Sequence, residues 1–120
     1  MLDLIYYSRD GLTKNVCVTD TNYERLAMLG LANIVTYEEK KVVIEGDEYS
    51  INAATLNYSS RKLFINLLED TRHSELVKLF EEMDIKPTVK EIREQFDYVK
   101  LLTHLCKEFK DENNIYFSYE

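Results

Sequence analysis

The stretch PTVKEIREQFDYVKLLTHLCKEFKDE, residues 87–112, decides how the rest of the chain is read, because it holds the longest helical pattern in the sequence. Val89, Ile92, Phe96, Val99, Leu102, Cys106 and Phe109 recur every three or four residues and fall on one stripe of a 3.6-residue helix. Thr88 and Glu91 have the spacing of a capping box, and Pro87 opposes any helix entering from upstream. Asp111, Glu112, Asn113 and Asn114 end the pattern. An apolar stripe of this length needs a covering layer, with Phe96 expected in the core, and the segments on either side have to supply that layer.

Upstream, Leu2 to Tyr7 and Val16 to Thr19 are β-rich and are separated by the turn chemistry of Ser8-Arg9-Asp10-Gly11, which predicts an opening antiparallel hairpin. Thr21 and Glu24 form a second capping-box pattern, and the short helix they open is expected to close at Gly30. Ile34 to Tyr37, Val42 to Glu45 and Tyr49 to Ile51 predict a three-stranded meander. Its two turns hold Glu38, Glu39, Glu45, Asp47 and Glu48. After the N-cap candidates Ser59 and Ser60, Leu63, Phe64, Leu67 and Leu68 predict a helix ending near Asp70. A break at Thr71 to His73 leads to a second helix through Leu76, Leu79, Phe80 and Met83, and the 87–112 stretch makes a third. Alternation of Ile115 and Phe117 predicts a final edge strand beside the opening hairpin. The expected fold is therefore α+β in a single domain, residues 1–120. Residues 1–58 are mainly β, with hairpin, meander and short helix; residues 59–120 are mainly α, with a three-helix segment and that last strand.

Composition narrows the function classes. At 45% hydrophobic residues, 120 residues can bury a core without disulfides or metals. Fifteen basic against 22 acidic residues give a charge of −7, which opposes direct contact with nucleic acid or an anionic membrane surface. Cys17 and Cys106 are far apart and form no CxxC, so a reducing, cytoplasmic setting is expected. The opening residues lack the basic start and apolar run of a signal peptide, and no apolar run approaches the roughly 20 residues needed to span a bilayer.

One short segment resembles a known phosphate-binding loop. Ile5-Tyr6-Tyr7-Ser8-Arg9-Asp10-Gly11-Leu12-Thr13 is similar to the first strand and loop of flavodoxin-like proteins, whose S-x-T-G-x-T pattern is matched by Ser8, Gly11 and Thr13. The resemblance implies an FMN- or phosphate-ligand site on the Ser8 to Thr13 loop, followed by a helix and a parallel strand. Asp10 departs from the pattern, since a carboxylate there repels phosphate, and Val16-Cys17-Val18-Thr19 reads as extended. An ordinary hairpin turn is the favoured alternative.

Catalytic constellations are sparse. His104 and Glu108 have i, i+4 spacing, but no third metal ligand can be named, and such pairs usually sit as solvated neighbours. Cys106 lies on the apolar stripe without a basic helper. The adjacent carboxylates Glu38-Glu39 and Glu81-Glu82 point different ways and make no acid/base dyad by themselves. The expectation is a non-enzymatic domain with no cofactor and no metal.

The acidic residues remain. Glu69, Asp70, Glu75, Glu81, Glu82 and Asp84 face only Arg72 and Lys78, six negative against two positive, a local charge of −4. Acidic runs are usually solvated faces; the functional alternative is a carboxylate surface that imitates nucleic-acid phosphates and docks on a basic protein groove. Partner contact is expected through Glu38, Glu39, Asp47 and Glu48 and through Glu81, Glu82 and Asp84. In general character the chain resembles phage and mobile-element accessory proteins, including anti-CRISPR inhibitors of nucleic-acid-binding effectors, and also immunity proteins or antitoxins. Homodimerisation is left open.

Overall fold

The computed structural model describes residues 2–82 and 88–119. Its elements are β1 (Leu2–Ser8), β2 (Thr13–Val18), α1 (Asp20–Leu29), β3 (Glu38–Ile44), β4 (Asp47–Thr55), α2 (Tyr58–Glu82), α3 (Val89–Lys110) and β5 (Asn114–Tyr119). The strands form one antiparallel sheet in the order β2-β1-β5-β4-β3, and the α+β class holds.

Local signals account for several boundaries. The capping box at α3 is formed: Glu91 N–H donates to Thr88 Oγ1 and Thr88 N–H to Glu91 Oε2, each at 3.2 Å. Gly30 closes α1 in the left-handed conformation, with φ of 85°. The N-cap of α1 is Thr19 rather than Thr21, because its hydroxyl takes the Asn22 N–H at 3.2 Å. Asn57, not Ser59 or Ser60, caps α2: its Oδ1 accepts from Ser60 N–H while Ser60 Oγ accepts from Asn57 N–H, both at 2.9 Å.

Expectations about whole elements also need correction. The meander is a two-stranded hairpin: Ile34 to Tyr37 lies outside any strand, and Glu38 to Lys41, expected as a turn, is the start of β3, with Lys40 opposite Ile51 and Lys41 opposite Ser50. The β3–β4 turn is tight because Glu45 and Gly46 both take positive φ, 51° and 85°, the geometry of a two-residue I′ hairpin. The three-helix segment contains two helices among the described residues. Thr71 to His73 is uninterrupted helix because it includes neither glycine nor proline, and the Thr71 hydroxyl donates back to Leu67 O at 2.8 Å. Met83, expected at the far end of the second helix, and Pro87, expected just before the third, lie outside the described residues. Finally, β5 is central rather than an edge, pairing with β1 on one side and β4 on the other.

One core cluster draws residues from every element except β3. Strand alternation turns Leu4, Tyr6, Val16, Val18 and Phe117 toward the helices. Four rings knit the layers: Phe64 of α2 stacks on Phe109 of α3 at 4.3 Å, and Tyr6 and Phe117 of the sheet meet Phe109 at 5.1 and 4.9 Å. The buried face of α3 is Tyr98, Leu102, Leu105, Cys106 and Phe109. Phe96 is 46% exposed, so the N-terminal half of the expected stripe turns out of the core. The cause is helical phase: the 3,4,3 spacing of Val89, Ile92, Phe96 and Val99 averages about 3.3 residues, short of 3.6, and drifts around a straight helix. No helix among the described residues is long and apolar enough to cross a membrane.

Candidate functional site

The β3–β4 hairpin is the part of the sheet least used by the core. Residues Asp47 to Ala53 of β4 pair with β3, and only Ala54 and Thr55 pair with β5, so most of the hairpin is an arm outside the β5 ladder, with its Val43 backbone against the β1–β2 turn. Alternation gives the arm two faces. Glu39, Lys41, Val43, Glu48, Ser50 and Asn52 share one and are all exposed. Val42, Ile44, Ile51 and Ala53 share the other and are wholly or partly buried.

Between Glu38 and Asn52 the arm holds five carboxylates against two lysines. Three of the carboxylates are held: Glu38 pairs with Lys40 at 3.3 Å, Glu48 with Lys41 at 3.7 Å, and Glu39 accepts from the Ser50 hydroxyl. Glu45 and Asp47 sit at the turn. Val43 and Tyr49 are apolar or aromatic side chains left exposed among these charges. Sequence reasoning missed them because strand residues of this kind were expected to face a core; polar Glu48, Ser50 and Asn52 at alternate positions were the available signal.

Among the described residues, the expected partner-contact side chains do not form one surface. Glu38 and Glu39 lie at the open end of the hairpin and Asp47 and Glu48 at its turn, about six residues or roughly 20 Å apart along the strand. Glu81 is exposed near the far end of α2, 23 residues beyond Tyr58 and so roughly 34 Å along the helix axis from the place where β4 hands over to α2. Asp84 and the side chain of Glu82 lie outside the described residues.

The Ser8 to Thr13 loop is a hairpin turn between antiparallel strands. It is followed by neither the helix nor the parallel strand that the flavodoxin-like resemblance implies, and the fold part of that resemblance is corrected. The Ser8 hydroxyl donates to Asp10, which lowers the Asp10 pKa, and Ser8 Oγ also accepts from Leu12 N–H at 3.2 Å. The loop is therefore occupied by its own carboxylate. Gly11, with φ of +80°, lies so close to the arm that a Cβ would meet Val43 O at 3.0 Å. A cleft of about 240 Å³ separates this turn from β3, lined by Tyr7, Arg9, Lys41, Ile44 and Tyr116 among others.

The remaining chemical candidates are engaged in structure. Glu108 meets His104 at 3.8 Å and Lys14 at 3.4 Å, and accepts from Asn114 Nδ2 at 3.0 Å. No group of three His, Cys, Asp or Glu side chains poised for a metal occurs among the described residues. Burial raises the Cys106 thiol pKa, and a hydrogen bond with Asp3 raises that of Cys17, so both favour the protonated form. Compared with family models, curated proteins and solved structures, the chain matches none of them.

Proposed function

We propose that the chain is a non-enzymatic protein-binding domain whose β3–β4 arm docks on a basic surface of a partner protein. The observation that supports this reading is the exposed face of the hairpin, which presents Glu39, Glu48 and Val43 together and carries Glu45 and Asp47 at its turn. A carboxylate-rich ribbon with an apolar residue among its charges suits a cationic groove, because long-range attraction steers encounter and the apolar contact retains the complex. The partner class is a nucleic-acid-binding effector, which makes the chain an inhibitor of the kind found on phages and mobile elements; an immunity protein or antitoxin would use the same chemistry. The proposed setting is the cytoplasm, in keeping with two free thiols, Cys17 and Cys106.

The test compares the wild type with a chain carrying Glu38→Gln, Glu39→Gln, Asp47→Asn and Glu48→Gln together. Partners captured from host lysate by the wild type are identified by mass spectrometry, and their association rates are measured at two salt concentrations. The expected result is an association rate that falls with salt for the wild type and is slower and less salt-sensitive for the variant. Equal rates for both chains, unmoved by salt, would refute the arm as the docking element.

A further inference from the structure

The paired helices carry a second surface, unrelated to the arm. Three contacts set the phase of the pair: Gln95 Nε2 reaches Glu75 at 3.4 Å, Arg72 Nη1 reaches Thr103 at 3.4 Å, and Lys110 meets Glu69 at 2.8 Å. These fix which flank of each helix faces the other, and the core residues Phe64, Leu68, Leu102 and Phe109 fix which side faces the sheet. Helical spacing then places Phe80 of α2 and Val89 and Phe96 of α3 on the remaining side, along the seam and away from the sheet. Phe80 is 67% and Val89 72% exposed. Monomeric domains seldom leave such large apolar side chains together in water.

The charges flanking this seam differ between the helices. On the outward side α2 shows Asp70 and Glu81 against Lys62, and α3 shows Arg93, Lys100 and Lys107 against Asp97, so α2 is net acidic and α3 net basic there; Asp70, Glu81, Arg93 and Lys100 have no ion-pair partner among the described residues. The interhelical contacts put Glu81 within about one turn of the level of Arg93, and Asp70 within about one turn of Lys100. We infer that this face binds a second copy of the chain through a twofold axis parallel to the helices. That axis keeps each apolar patch at its own level, so patch meets patch, and lays α2 of one copy on α3 of the other. Glu81 then faces the partner copy's Arg93, and Asp70 its Lys100. Every neighbouring pair of helices runs antiparallel, as in an up-down four-helix bundle. A twofold axis across the helices at the level of Phe80 would instead lay α2 on α2 and bring Glu81 beside its own symmetry copy, a like-charge contact.

Sedimentation equilibrium of the purified chain tests this directly. The expected result is a reversible dimer of twice the 14.2 kDa chain. Phe80→Asp and Phe96→Asp should each raise its dissociation constant roughly tenfold or more while leaving the circular dichroism spectrum unchanged. Glu81→Arg alone should weaken the dimer, and adding Arg93→Glu in the same chain should restore it, because the swap rebuilds an opposite-charge pair across the twofold. A chain that stays monomeric at every concentration overturns the inference. So does a dimer indifferent to Phe80→Asp and Phe96→Asp, or one that the charge swap fails to rescue.

Discussion

Replacing Arg61 with Met should be among the most destabilising substitutions outside the apolar core. The guanidinium donates from Nε to Leu56 O at 3.2 Å and from Nη1 to Phe109 O at 2.9 Å and Asp111 O at 2.7 Å, and Nη2 donates to Asn114 O. One side chain thus joins the end of β4, the last turn of α3 and the first residue of β5. Two of its acceptors belong to the C-terminal end of α3, where the helix leaves carbonyls without intrahelical donors and a cation is favoured. Hydrogen bonds to a charged group contribute about 1.5 to 3 kcal/mol each, but Arg61 is only partly buried and the freed carbonyls can take water. Counting one to two effective bonds, the loss is about 3 kcal/mol, which in a domain of this size lowers Tm by about 10 °C or more. Lysine keeps the charge but not the planar fork, so Arg61→Lys should recover only part of the loss. Thermal melts followed by circular dichroism at matched protein concentration decide the matter. An Arg61→Met chain melting within about 2 °C of wild type would show that the clamp contributes little.

Two further outcomes concern buried and titrating groups. Tyr6 is fully buried and its hydroxyl has no protein partner among the described residues, so Tyr6→Phe, which keeps the ring contacts with Phe109 and Phe117, should leave stability equal or higher; a loss above about 1 kcal/mol in urea unfolding would mean that the hydroxyl is hydrogen-bonded in solution. The Asp111 pKa is lowered by the Asn113 N–H and by Lys14, and that of Glu69 by Lys110. Both folded values lie below the unfolded ones of about 4, so the stabilisation is fully present above roughly pH 5 and is lost as pH falls through the folded values. The urea midpoint should hold between pH 7 and 5 and drop below about pH 4, less steeply for Asp111→Asn; a midpoint that rises on acidification would contradict this.

What the sequence made legible was local in origin. The Thr88 and Glu91 cap, the Gly30 stop and the opening hairpin each depend on residues a few positions apart, and the α+β class followed from the change of period between the two halves. What it hid depends on distant partners. Glu38 to Lys41 reads as a turn because four charges in a row resemble one, yet pairing with Asn52, Ile51 and Ser50 makes it strand. The seat of β5 between β1 and β4 is set by packing, which a short alternating run near the chain's end does not encode. Acidic residues could be counted from the sequence, but the register that sends Glu39 and Asp47 to opposite ends of the arm could not. Arg61 left a trace that was open to reading: it stands in the first turn of α2, followed by Lys62 and with no acidic residue beside them, where the helix dipole disfavours cations. The carbonyls it reaches instead are Phe109 O and Asp111 O at the C-terminal end of α3, where a cation is favoured. The packing of the two helices is in this sense announced by a local electrostatic misfit, which Arg61 resolves on the end of α3.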